Sequence, residues 1–396
     1  FISLNSTYRN SNAVGYGGAV YLYKIKTVQF ISCLLKNNIA EGKAGGLWIN
    51  FCGQIILNSK FIMNEATEGG AIFVATADSL HITHSLLQGN KAKIKESTGF
   101  SGGGALSITE VKVCSIKFST FVKNQAFSNG GCFVMHKVLQ FISTNCYFSN
   151  NSAYLSGGVV SSQGTNSFKL FHAKFIHQRC KQYGAVIYVS VTYGKSSSEI
   201  NNVDFLNNTA SLDGGAVYIK FSSHVKVRKS RFINNSANQN GGALLIFLDA
   251  GVKARVYIEI CFFKDNKAIK GGSAVVITGV TTLGFHNNHI EDSFDANKTS
   301  DSFTGVAILH GTELQLINTL FKTKLTQKML VEVETTTLSS FNGMSFLCPF
   351  FTFLKETAAQ TVGGCLGSHH SCYSVKLQYR CLTCTARYYL AHSGIW

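Results

Sequence analysis

The side chains that could carry chemistry in this chain are a crowd of cysteines and a thin scatter of carboxylates. Cys348, Cys365, Cys372, Cys381 and Cys384 cluster near the end of the chain, and Cys381-Leu-Thr-Cys384 has a spacing that suits either disulfides or a metal. Zinc would draw on Cys365, His369, His370, Cys372, Cys381 and Cys384, but the second Cys-x-x-Cys pair of such sites is missing. Disulfides are therefore the expectation, and no metal or other cofactor is expected. An odd count of five implies a sixth partner elsewhere.

Asp and Glu together number 20 and are dispersed. Glycoside hydrolysis needs a facing acid and base, and lyase chemistry needs carboxylates around calcium. No Asp-Asp pair occurs, and Asn202-Val-Asp204 has no accompanying Gly-His-Gly. Asp204 stands just before Phe205 and Asp213 just before Gly214-Gly215, so both read as turn residues. Stacking of distant segments could still bring Asp204 and Glu259 onto one face. Gly102-Gly103-Gly104 is not a phosphate loop, since no Lys-Ser/Thr follows. No catalytic residue is assigned, and the chain is expected not to be an enzyme.

What must position these groups is a repeated phrase. A Phe is followed by Asn three places on, Ala two further, and then Gly-Gly-apolar. The phrase recurs as Phe61, Asn64, Gly70; Phe121, Asn124, Gly131; Phe148, Asn151, Gly158; Phe205, Asn208, Gly215; and Phe232, Asn235, Gly242. The second glycine of successive copies is read at Gly18, Gly46, Gly70, Gly104, Gly131, Gly158, Gly184, Gly215, Gly242, Gly272 and Gly305, with steps near 27 residues. Such a period means stacked units that cannot bury their apolar faces alone. Glycine pairs argue against helical units, and Val225 and Val227 alternate with His224, Lys226 and Arg228 as a strand does. The expected fold is all-β, a parallel β-helix of about eleven coils stacked at about 4.8 Å each. Phe would form a core ladder, Asn a turn ladder, and Gly-Gly-Ala a narrow corner.

The FxxN and GGA(I/V/L) phrases resemble the repeats of the polymorphic outer membrane protein family, first described in chlamydiae, with similar repeats in some protist surface proteins. The resemblance covers roughly residues 1–310, with weaker copies near Leu35, Leu87 and Phe175, where Gln178 and Cys180 replace Asn and Ala. It implies a right-handed parallel β-helix of the pectin-lyase-like kind, a surface location and adhesin function, without identifying a receptor. Cys381-Leu-Thr-Cys384-Thr-Ala-Arg-Tyr-Tyr-Leu likewise resembles EGF-like and growth-factor-receptor-like modules. The domains read as a β-helix over 1–346 and a truncated cysteine-rich segment over 347–396. Cys33, Cys52, Cys114, Cys132, Cys146, Cys180 and Cys261, spread through the repeats, read as small buried hydrophobes.

Charged residues make up only 14% of the chain and hydrophobics 45%, which suits long buried ladders. Pro349 is the single proline. No apolar stretch is long enough for a membrane helix, so membrane attachment would lie in parts outside this chain. Beginning at Phe1 and ending at Trp396, the chain reads as a fragment lacking signal peptide, capping coil and anchor. The net charge of +16 reads first as solvation of a long surface. Lys226, Arg228, Lys229 and Arg231 are weak candidates for binding anionic glycans or proteins of a host or neighbouring cell, and nucleic acid is not expected. Sequons at Asn5, Asn150, Asn207, Asn234 and Asn297 are possible glycosylation points, three of them two residues after a repeat Phe. Adhesion or recognition is the favoured function, with a projecting stalk second and a polysaccharide lyase or hydrolase third.

Overall fold

A single coil explains the architecture. In this computed structural model, Val217–Lys220, His224–Arg228, Arg231–Ile233 and the two-residue Ser236–Ala237 follow one another as four short strands. Each corner is turned by one residue in the left-handed region: Phe221 at φ 63°, Lys229 at 47°, Asn234 at 54° and Gly241 at 63°. Asparagine tolerates that region best after glycine, which accounts for its recurrence at the corners. Val225 and Val227 point inward and are fully buried, while His224 is exposed. Alternation within the strand thus sorts residues into core and surface.

The structure describes residues 1–94, 101–191, 196–248, 253–291, 305–322, 329–342, 345–347, 352–362 and 374–383. Each strand of a coil pairs in parallel with its counterpart in the next. Asp204–Leu206 lies on Arg231–Ile233, for example, which lies on Phe262–Lys264. The described chain is a parallel β-solenoid of about eleven turns, and its two-residue strands form a separate ten-stranded sheet. Beyond the last coils, Ser374–Thr383 runs antiparallel to both Thr352–Val362 and Met329–Asn342. The hairpin therefore bonds to a strand on the repeat side of residue 346. Cys348, Cys365, Cys372 and Cys384 lie outside the described residues, as does the side chain of Cys381.

Three ladders run along the interior. Phe121, Phe148, Phe175, Phe205, Phe232 and Phe263 stack with centroids 4.6–5.3 Å apart and planes within 11°. Leu35, Phe61 and Leu87 continue this row, so leucine substitutes for a ring without a change of register. Asn38, Asn64, Asn90, Asn124, Asn151, Asn208, Asn235 and Asn266 form the second ladder, each wholly buried. The Asn64 amide illustrates the arrangement. Its Oδ1 accepts from the backbone N–H (3.1 Å) and Nδ2 (2.9 Å) of Asn38, and its Nδ2 donates to Asn90 Oδ1 (3.0 Å) and Leu35 O (2.9 Å). Gln178 fills the same register. It accepts from Asn151 through Oε1, while its Nε2 turns to the carbonyls of Ile176 and Phe148.

The third ladder was not anticipated from sequence. Two residues before the Phe position, Ser59 Oγ accepts from the Cys33 N–H (3.0 Å), Ser85 Oγ from Ser59 (3.1 Å) and Ser119 Oγ from Ser85 (3.1 Å). Cys33, Cys146 and Cys261 occupy this serine register, and their thiols donate to backbone carbonyls such as Ser3, Thr144 and Glu259. Reading these cysteines as plain hydrophobes missed their place in a polar turn.

The glycine pairs divide their work. Gly241 takes the positive φ, whereas a Cβ on Gly242 would overlap the carbonyl oxygens of Ser273 and Lys267 in the next coil. Strand register also corrects four positions of the repeat: Gly46, Gly184, Gly272 and Gly305 are not the second glycines. The first three places belong to Gly45, Ala185 and Ser273, because Leu47, Ile187 and Val275 align with Ile72, Val217 and Leu244, and Gly305 stands in the register of Ala274, because Val306 aligns with Val275. Counting glycines alone could not detect an alanine or serine standing in for one.

Candidate binding faces of the solenoid

Stacking turns every outward strand position into a row of side chains, so a surface group is placed by its register and not by its sequence neighbours. Lys226 lies between Glu199 and Tyr257, and Arg228 between Asn201 and Glu259. The same geometry sets Arg231 between Asp204 and Phe262. Arg228 Nη2 is 2.6 Å from Glu259 Oε2, and Arg231 Nε is 3.5 Å from Asp204 Oδ1. Lys229 is exposed on a left-handed corner. The basic quartet is thus partly neutralised by two carboxylates from neighbouring coils. Those two, Asp204 and Glu259, each face an arginine and do not form an acid–base pair.

Beside them a shallow turn pocket is lined by Asn145, Cys146, Tyr147, His172, Lys174, Asn202, Asp204 and Arg231. There the Asn202 side-chain amide lies 2.8 Å from His172 Nδ1.

A second depression crosses the two-residue strands on another face. Its outer row runs Gln125, Ser152, Arg179, Thr209 in register, and the residues two further on are Phe127, Tyr154, Lys181 and Ser211. The floor between the rows is formed at Ala126, Ala153 and Cys180, whose side chains turn inward and are buried. Its volume is about 320 Å³. Tyr154 is 50% exposed, with Lys181 Nζ 4.3 Å from its ring centroid, and Lys91 Nζ lies 5.0 Å from that of Phe127. No carboxylate lines the groove, and neither Arg179 nor Lys181 makes an ion pair among the described residues. This groove was invisible in the sequence, because its lining comes from four coils.

Elsewhere on the described surface many bases are matched. Lys43 pairs with Glu68 at 2.8 Å, Lys112 with Asp78 at 2.7 Å, Lys137 with Glu110 at 3.4 Å, and Lys93 with Glu65. Exposed pairs of this kind contribute only about 0–1 kcal/mol each. Their effect here is to cancel local potential.

The seven repeat cysteines are all free thiols and buried. Burial pushes Cys114, Cys180 and Cys261 up to about 12, so they stay protonated and unreactive. Asn150 (φ 54°), Asn207 (φ 55°) and Asn234 (φ 54°) occupy the corner position just before the buried Asn ladder. Asn234 Nδ2 donates to Asn207 Oδ1 at 2.7 Å. Asn5 is also exposed on a corner, and Asn297 lies outside the described residues. Gly99-Phe100-Ser101-Gly102-Gly103 has the spacing of a serine nucleophile elbow. Ser101, however, enters a glycine corner, where its carbonyl accepts from Ser128 Oγ (2.9 Å), and no helix follows.

These features define a β-solenoid whose interior is spent on ladders and whose outer rows are available to ligands. The Chlamydia polymorphic membrane protein repeat model matches residues 145–163 and 202–220. No curated protein matches the chain. Among solved structures, PfbA, a surface adhesin of Streptococcus pneumoniae, is similar at 12% identity and a TM-score of 0.39, covering 86% of this chain and 90% of that one.

Proposed function

We propose that the chain is a non-catalytic recognition module displayed on a cell surface, a right-handed solenoid that offers its lateral rows to surface proteins or anionic glycans of a host or neighbouring cell. The observation that carries this reading is the contrast between neighbouring registers on one face. Inward, the two-residue strands repeat Ala40, Ala66, Ala92, Ala126 and Ala153 with little change. Outward, the adjacent register reads Ile39, Glu65, Lys91, Gln125, Ser152, Arg179 and Thr209. The scaffold leaves these positions free, and a surface assembled from unlike groups at fixed spacing can be specific for a ligand.

The membrane-protein repeat match supports the surface location. Right-handed crossovers between parallel strands are the rule in about 98% of cases, which supports the handedness. Disulfides among the terminal cysteines belong to the same reading, since an exported chain meets an oxidising compartment. Attachment of the fluorescently labelled chain to host cells and its binding on a glycan array test the proposal. Saturable binding is expected, together with no depolymerisation of polygalacturonate or hyaluronate. Absence of any cell or glycan binding would leave only a stalk, and chain cleavage would make the protein an enzyme.

A further inference from the structure

We propose that the groove running from Gln125 to Ser211 binds an acidic sugar, with a pyranose ring packed against the exposed part of Tyr154 and its carboxylate or sulfate held by Arg179 and Lys181. This assignment rests on the recognition reading and gives it a place and a chemistry.

Three properties of the groove point the same way. Its cations face no acid, unlike Arg228 and Arg231, so their attraction for an anion is not already used up. Arg179 presents a planar fork suited to carboxylate or sulfate, and Lys181 adds a point charge beside the Tyr154 ring. Gln125, Ser152, Thr209 and Ser211 add hydroxyl and amide groups along the two rows, repeating at a coil spacing of about 4.8 Å. Such groups match the hydroxyls of a sugar, each able to donate and accept.

The backbone argues against a peptide in this place. Strands of the groove floor such as Ser152–Ala153 and Arg179–Cys180 are hydrogen-bonded to coils on both sides, leaving no strand edge for an extended segment to join. Recognition must run through side chains alone. An aromatic ring ringed by hydroxyls and cations suits a rigid, hydroxyl-rich, anionic ligand. The volume of about 320 Å³ lies at the small end of ligand sites, which restricts the ligand to a short stretch of chain.

The repeat itself supplies safe variants. Arg179→Ser installs the residue that Ser152 already provides one coil earlier, and Tyr154→Ser or Lys181→Ser installs that of Ser211. The full chain is titrated calorimetrically with a heparin hexasaccharide, a hexagalacturonate and neutral maltohexaose. At least one acidic oligosaccharide should bind and the neutral one should not, with affinity falling as salt rises. Arg179→Ser and Tyr154→Ser should each weaken binding by about tenfold or more, as expected for a charge-assisted or aromatic contact, while Lys112→Ser, whose charge is already matched by Asp78, changes nothing. Retention of parental affinity in both groove variants, or an equal loss in Lys112→Ser, would overturn the assignment. If neither acidic oligosaccharide binds but the chain still attaches to cells, the groove proposal falls and the recognition reading stands. If attachment is also absent, both fall.

Discussion

Asn124→Ala tests the ladder most directly, because every bond it breaks is known. In the parent, Asn124 Oδ1 accepts from the Asn90 N–H at 3.1 Å and Asn90 Nδ2 at 3.0 Å, and its Nδ2 donates to Leu87 O at 2.9 Å and Asn151 Oδ1 at 3.1 Å. Alanine removes all four, with the long contact of Nδ2 to Cys132 Sγ at 3.9 Å, and leaves the buried Asn90 N–H without its partner. A net hydrogen bond is worth about 1 kcal/mol and an orphaned buried donor costs about 1–3 kcal/mol, so the loss should be about 4–6 kcal/mol. Asn124→Gln is the calibrating variant. Gln178 shows that glutamine keeps the acceptor side and forfeits only the donation to the next amide, so its cost should be about 1 kcal/mol. Because a solenoid loses structure coil by coil, guanidinium unfolding followed by circular dichroism should be paired with hydrogen exchange resolved to residues near 90 and 124. Protection should collapse there and persist near residue 235. Asn124→Ala lying within about 1 kcal/mol of the parent, or no worse than Asn124→Gln, would refute the idea that side-chain amides hold the coils together.

Other perturbations follow from the same geometry. Gly242→Val should disrupt coil stacking and admit protease near that coil, and Gly242→Ser should do so to a lesser extent, since its Cβ meets the same Ser273 and Lys267 carbonyl oxygens; limited proteolysis with mass mapping ranks both against the parent. Thiol stability should depend on pH with a definite sign. The Cys114, Cys180 and Cys261 thiols titrate near 12 when folded and at 9.0 by reference, so their contribution is complete below about pH 9 and is lost as pH rises toward 12. Thermal melts from pH 7 to 11 should show falling stability, and a flat profile would contradict that burial. A maleimide should label none of the seven repeat thiols in the native chain and all of them in denaturant.

How much of this could be read in advance depended on whether a residue type recurs at a fixed offset. Phe, Asn and Gly do so, and the ladders built on Phe121, Asn124 and Gly131 were legible for that reason. The serine ladder also left a trace, since Ser59, Ser85, Ser119 and Ser230 all stand two places before the Phe register. Its signal was diluted by Cys146, Ala173 and Val203, chemically unlike residues in one place. The binding faces were harder, because they depend on which coil lies next to which. Alternation alone put Lys226, Arg228 and Arg231 outside, but only register reveals Glu259 and Asp204 beside two of them. Likewise Phe127, Tyr154, Lys181 and Ser211 are far apart in sequence and become neighbours only once the turns are closed.

The asparagine ladder has a property that reaches past stability. Save at Gln178, where the backbone N–H makes the forward bond, amides of the ladder such as those of Asn64, Asn90 and Asn124 offer their oxygen to the coil before and their nitrogen to the coil after, so each turn ends in the template that the next one needs. The steps from Asn124 to Asn151 and from Asn208 to Asn235 are each 27 residues. Excising or duplicating one such span rejoins like to like and leaves the interior unchanged. It shifts everything downstream by one coil height, about 4.8 Å, and by that coil's share of the twist. Length in such a chain is therefore counted in whole turns, and a recognition row can be slid along its axis or multiplied without redesign of what lies beneath it.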